Sequence, residues 1–115
     1  MSTLKTQIKE NILVVQFQDD SIIDETRIEA VGKELSKLVS ESEQKKFVLS
    51  FENVEFMSSA MIGKLVHFVN LCNNEQIELR LCDINANIQK VFDLMRLDKL
   101  FSIDPDIDSS IFKLS

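Results

Sequence analysis

Apolar positions in this chain come at two spacings, and the switching between them lays out its elements. Alternating or continuous apolar runs read as strands at Leu4 to Ile8, Ile12 to Phe17, Phe47 to Phe51 and Ile77 to Cys82. Glu10-Asn11 is a tight-turn pair between the first two, and Asp19-Asp20-Ser21 breaks the second. Helical spacing then takes over after each of the last three. Ile28, Val31, Leu35, Leu38 and Val39 form the stripe of a helix that Asp24 caps and that reaches about Ser42. Ile62, Leu65, Val66, Val69 and Cys72 belong to a second helix, opened by Ser58 or Ser59 and ended by Asn73-Asn74. Ile88, Val91, Phe92 and Met95 mark a third, from Asn85 to Met95. A short edge strand is expected near Phe101 to Ile103. Pro105 starts a last short helix carrying Ile107, Ile111 and Leu114.

The order β-β-α-β-α-β-α-β-α is that of an α/β protein. One strand parity gives Leu13, Val15 and Phe17, then Phe47, Leu49 and Phe51, then Ile77, Leu79 and Leu81, all apolar. The other gives Ile12, Val14 and Gln16, then Val48 and Ser50, then Glu78, Arg80 and Cys82, which is mixed. A sheet covered by helices on both sides reads apolar on both parities. Crossovers of one hand that advance in one direction put their helices on one face. The expected architecture is a mixed β-sheet with helices mainly on one face, a β/α superhelix rather than a doubly wound sheet. It is expected to form one domain over residues 1–115, with the face that carries Arg80 open.

Composition narrows the function classes. With 44% hydrophobic residues, eight of them Phe, 115 residues suffice for one substantial core. A net charge of −6 disfavours nucleic-acid backbones and anionic membrane surfaces, which need a basic face. No apolar run approaches a transmembrane span, and Met1 to Thr6 lacks the apolar core of a signal peptide. Cys72 and Cys82 lie in apolar segments outside any CxxC, as expected of reduced, buried thiols in a cytoplasmic protein.

The equipment of an enzyme is thin. His67 is the only histidine, sits mid-helix and reads as solvated or partly packed. No HExxH, GxSxG, GxGxxG or Walker loop occurs. Asp19, Asp20 and Asp24 together could hold a magnesium ion beside a phosphate, but a loop plus a helix cap is the preferred reading of them. The chain is expected to be no enzyme and to need no cofactor or metal. The sharper feature is the pair Ser58-Ser59 between an apolar strand and a helix start. One cap needs one hydroxyl, and no Glu or Gln completes a capping box, because Met61 or Ile62 stands there. Free N–H groups and the positive helix end also favour an anion, including a serine-borne phosphate.

The run Val54-Glu55-Phe56-Met57-Ser58-Ser59-Ala60-Met61-Ile62-Gly63 resembles the Phe-Met-Asp-Ser-Ser-Gly-Leu-Gly signature of stand-alone STAS domains, the bacterial anti-sigma factor antagonists. Phe56, Met57, Ser59, Ile62 and Gly63 match or nearly match without gaps. The strand Phe47 to Phe51 resembles the family's approach to this loop, and Asp24 the acidic residue opening its first helix. Leu81-Cys82-Asp83-Ile84 and Val91 to Phe101 are similar to its third helix and exit. Ser58, Ala60 and Met61 depart from the signature, standing for its aspartate, second serine and first glycine.

The resemblance implies a phosphorylation-switched protein-binding module. Its partner would be an anti-sigma factor serine kinase of the histidine-kinase-like ATPase superfamily, sequestered by the unphosphorylated protein; a metal-dependent serine phosphatase would reset it. Carried over, the phosphoacceptor is Ser59, with Ser58 as the alternative, and Asp20, Ser21, Asp24, Ser58 and Met61 are the partner-binding residues. A monomer or weak dimer is expected. Two other readings stand beside this one. One is a STAS scaffold that is never phosphorylated and regulates an ATPase or signalling assembly. The other is a small-ligand module using Ile12, Val14, Val48 and Cys82 on the mixed sheet face.

Overall fold

The turn pair Glu10-Asn11 folds as its sequence suggests. Both residues have positive φ, 51° and 66°, the conformation a two-residue hairpin needs between right-twisted strands. It joins β1 (Leu4–Lys9) to β2 (Ile12–Phe17) in antiparallel register, with Lys9 opposite Ile12. The computed structural model describes residues 3–115; Met1 and Ser2, where the segment read as lacking a signal peptide begins, lie outside the described residues. Beyond the hairpin come β3 (Ser21–Ile22), α1 (Glu25–Glu41), β4 (Lys46–Ser50), β5 (Phe56–Met57), α2 (Ser59–Asn74) and β6 (Glu78–Cys82). The chain ends in α3 (Ala86–Leu94), β7 (Ile103–Asp104) and α4 (Ile107–Leu114).

The main sheet has the order β1-β2-β4-β6-β7, with β1 antiparallel and the other pairings parallel. Each parallel step moves to the next strand in the same direction, and α1, α2 and α3 make those connections. They cover the parity that is wholly apolar. Leu13, Val15, Phe17, Phe47, Leu49, Phe51 and Leu81 are buried there against Ile28, Val31, Leu35, Ile62, Leu65 and Phe92. Phenylalanines link these layers: Phe17 to Phe51 at 5.0 Å between ring centroids, Phe51 to Phe92 at 6.4 Å, and Phe92 to Phe101 at 4.9 Å. The second-helix stripe is wider than the spacing suggested, since Met61 and Phe68 are buried and Val66 only partly so.

The other face corrects an expectation. It is not open: α4 lies across it and, with Ile111 and Leu114, buries Ile12, Val14, Val48 and Cys82. That helix follows the last strand and makes no crossover, so the rule that places α1 to α3 on one side does not constrain it. The apolar patch read as a small-ligand surface is thus a second, minor core. Nor is Arg80 in solvent. Its Nε and Nη2 donate to Asp104 at 2.6 and 3.1 Å. Asp104 is fully buried and also receives Ser110 Oγ at 2.7 Å and Lys113 Nζ at 2.9 Å. Burial pushes its pKa upward, but the hydrogen bonds from Arg80, Lys113 and Ser110 outweigh it and hold the carboxyl well below the usual range. The bonds from Ser110 and Lys113 fasten α4 to the sheet.

Candidate functional site

In an open parallel sheet, functional loops collect at the carboxyl ends of the strands. Here the loops after β2, β4 and β6 lie at that end, and the sequence-predicted residues fall on the first two. What aligns them is a second sheet of only two strands, in segments whose sequence reads as loop. Ser21 of β3 pairs in parallel with Phe56 of β5, and Ile22 with Met57. Around this ladder, the Asp20 carbonyl accepts from Glu55 N at 2.7 Å and from Phe56 N at 3.2 Å. The Ile22 carbonyl accepts from Ser58 N at 3.1 Å. Asp20, Ser21 and Ser58 are thereby brought together.

The two serines have different tasks. Ser58 is the N-cap of α2: its Oγ accepts from Met61 N at 3.3 Å and its carbonyl from Ile62 N at 3.1 Å. Ser59 is the first helical residue, and it is exposed. A group attached to its Oγ would sit at the positive end of a 16-residue helix. Asp24 is exposed and caps α1, its carboxylate accepting from Thr26 N at 3.3 Å. Asp19 is turned away to Arg27, whose Nη2 donates to it at 2.9 Å. The three aspartates therefore do not converge, and the described residues contain no group of three His, Cys, Asp or Glu that could hold a metal ion.

Met61 is a correction. Its side chain is fully buried in the main core, so it supports α2 from beneath and offers a partner no surface. The residues that do offer one were missed. An apolar groove of about 390 Å³ runs between the small ladder and α3, with Ile23, Phe56, Met57, Ile88 and Val91 in its walls and Ile62 of the first turn of α2 lining it too. Ile23 is 61% and Phe56 58% exposed, large apolar residues where polar ones would suit water better. A signal was present: Phe56 and Ile23 are apolar residues in segments otherwise rich in Asp, Glu and Ser.

Of the remaining candidates, His67 is exposed on α2. Cys72 and Cys82 are free and buried, and burial pushes both thiols up to about 12. Among the described residues, no helix is long and apolar enough to cross a membrane.

Comparison with known proteins agrees with this geometry. The family model described as the STAS domain matches residues 3–110. An anti-sigma F factor antagonist from Paenibacillus polymyxa is 24% identical over 104 residues, spanning 90% of this chain and 85% of the relative. An anti-sigma-factor antagonist (STAS) domain protein from Planctomyces limnophilus superposes with a TM-score of 0.86 at 17% identity, covering 100% of this chain and 99% of its own. The Bacillus cell fate determinant SpoIIAA in its phosphorylated form gives 0.72 at 14% identity, over 97% and 99%. At such identities the structural likeness establishes the fold alone. The family-model match runs through both helix caps, the ladder, the serine pair and the groove, and the chain belongs to the STAS domain family.

Proposed function

We propose that this protein is an anti-sigma factor antagonist, acting in the cytoplasm as a phosphorylation-switched binding module that catalyses nothing itself. Unphosphorylated, it binds and sequesters a kinase-type anti-sigma factor. The observation that carries this reading is the exposed Ser59 at the start of α2, between Met57 and Ile62, which both line an exposed apolar groove. Its Oγ would attack the γ-phosphorus of ATP held by the partner, with ADP leaving and the hydroxyl proton passing to a base of the kinase. The family supports the reading, and so does one relative, SpoIIAA, whose solved structures include a phosphorylated form. The phosphate adds about −1.5 to −2 charge. It lands on a surface that already carries Asp20, Asp24 and Glu55, all exposed. Repulsion and bulk then close the groove's rim to the partner, while the helix end accommodates the anion and the fold persists. A metal-dependent serine phosphatase restores the binding state.

The test is incubation with ATP and the candidate kinase, followed by intact-mass and phosphosite analysis. One phosphate, absent in Ser59→Ala, is expected. A single phosphate on Ser58 would move the acceptor by one residue. The second reading, an unphosphorylated scaffold, draws on Ser58 standing where the family signature has aspartate. It predicts no modification by a kinase proven to bind.

A further inference from the structure

Glu55 is held from both sides. Its N–H donates to the Asp20 carbonyl at 2.7 Å, and its own carbonyl accepts from Asn85 Nδ2 at 3.1 Å. The same Nδ2 donates to the Val54 carbonyl at 3.2 Å. The other end of that amide is also used: Asn85 Oδ1 accepts from Ile88 N at 2.8 Å and so caps α3. An amide is the one small side chain that can donate twice and accept once in this way. Turning it over would set its oxygen against two carbonyls, so the bonding fixes its orientation. Asn85 is itself aimed by the turn before it. Asp83 adopts a left-handed backbone, φ 60°, and its Oδ2 accepts from Ser50 Oγ at 3.0 Å, tying the turn to β4.

From this geometry we propose that Asn85 is the positioning residue of the acceptor loop. Through its side-chain amide it locks residues 54–56, and with them the Ser58 cap and Ser59, to the start of α3. The two walls of the groove, Phe56 and Met57 on one side and Ile88 and Val91 on the other, then keep a fixed separation. The partner meets acceptor and groove as one rigid unit, and the cost of ordering them is met during folding rather than binding. The proposal rests on the phosphoacceptor reading for its functional meaning, but its test needs no kinase.

Asn85→Ser keeps an oxygen to cap α3 and removes both amide donors. Asn85→Asp keeps the cap and sets a carboxylate against the two carbonyls. In the full-length protein, amide exchange followed by NMR should speed up about tenfold at Glu55, Phe56 and Ser58 in either variant, the scale of one lost hydrogen bond. The Ser42 amide, held by the Leu38 carbonyl at the end of α1, opens locally without breaking the bonds of Asn85 and should stay at its wild-type rate, while the thermal midpoint falls by only a few degrees. Unchanged exchange at 55, 56 and 58 in a folded variant would overturn the proposal. So would acceleration spread equally to Ser42, which would make Asn85 a general stabiliser. Should the aspartate variant not fold, the serine variant reads the same comparison. Because phosphorylation is not measured, either result leaves the Ser59 assignment to stand or fall by itself.

Discussion

Arg80 on β6 holds both carboxylate oxygens of Asp104 on β7, and the aspartate is wholly withdrawn from water. Removing one partner of such a pair leaves the other's desolvation uncompensated. Arg80→Ala should therefore cost about 2–3 kcal/mol in urea unfolding. That approaches the roughly 2–5 kcal/mol expected for Leu49→Ala in the main core. Lys113→Ala, which removes a half-exposed partner, should cost less than about 1 kcal/mol. An arginine effect near zero would mean that Asp104 is not held to β6 as a buried ion pair.

The same carboxylate sets an acid limit. Its native pKa lies below the unfolded one, so the stability it contributes is complete above the ordinary carboxylate range and drains away as pH falls through and below about 4. Asp104→Asn should be the less stable protein at pH 7, with the gap to wild type shrinking between about pH 4 and pH 2. Thermal midpoints across that range check it. A gap that stays constant with pH would deny the carboxylate its charge in the folded state.

Ser58 and Ser59 should separate cleanly under mutation. Ser58→Ala removes the α2 cap and should cost about 0.5–2 kcal/mol while still accepting phosphate. Ser59→Ala should leave stability within about 0.5 kcal/mol and abolish acceptance. Chemical denaturation paired with intact mass reads both quantities. The reverse assignment would show a phosphate surviving in Ser59→Ala.

Charge at the acceptor should occlude binding without unfolding. Ser59→Asp places a carboxylate in the first turn of α2, a position worth about 0.3–1 kcal/mol in its favour, so the thermal midpoint should hold or rise slightly. Affinity for the kinase should fall at least about tenfold, the scale of 1.4 kcal/mol. Phe56→Ala should weaken the same complex by removing an exposed groove wall, again with little effect on folding. Calorimetric titration of the three proteins decides it; wild-type affinity in both variants would remove this face from the interface.

The two thiols should be silent until the protein opens. Burial pushes Cys72 and Cys82 up to about 12, so at pH 8 neither is a thiolate in the folded state. A thiol-specific reagent should label neither under native conditions and both in denaturant. Rapid native labelling of Cys82 alone would reveal detachment of α4, which covers it.

The element order was legible because each main element carries its own periodicity; Asp24 caps α1 as its spacing suggests, Ser58 proves to be the cap of the two serines offered, and Asn85, read as the start of the third helix, is its cap. The phosphoacceptor candidate came from a local signature and a helix start, both written in consecutive residues. The ladder between Ser21-Ile22 and Phe56-Met57 was not legible, because two-residue strands have no period and their partners lie far apart in sequence. The place of α4 escaped for a different reason. Its apolar residues Ile107, Ile111 and Leu114 were recognised, as were Ile12, Val14 and Val48, but the crossover rule that assigns sides is silent about a terminal helix. Arg80 misled because a charged residue on a strand reads as solvent-facing unless its partner is known, and Asp104 is 24 residues away. Met61 misled because Ser59 and Ala60 just before it are exposed, whereas helical geometry turns it inward beside Ile62.

The ladder holds its two loops by main-chain bonds: Ser21 and Ile22 against Phe56 and Met57, with the Asp20 and Ile22 carbonyls at its ends. Backbone pairing of this kind does not depend on which side chains the paired residues bear. Ile23 and Phe56 can thus be exchanged for other residues while Ser59 keeps its place. A duplicated copy of such a gene could acquire a new partner by a few surface changes and stop answering to the old one, with the folding of the domain untouched. Insulation between parallel signalling circuits would then be an inexpensive evolutionary step for this architecture.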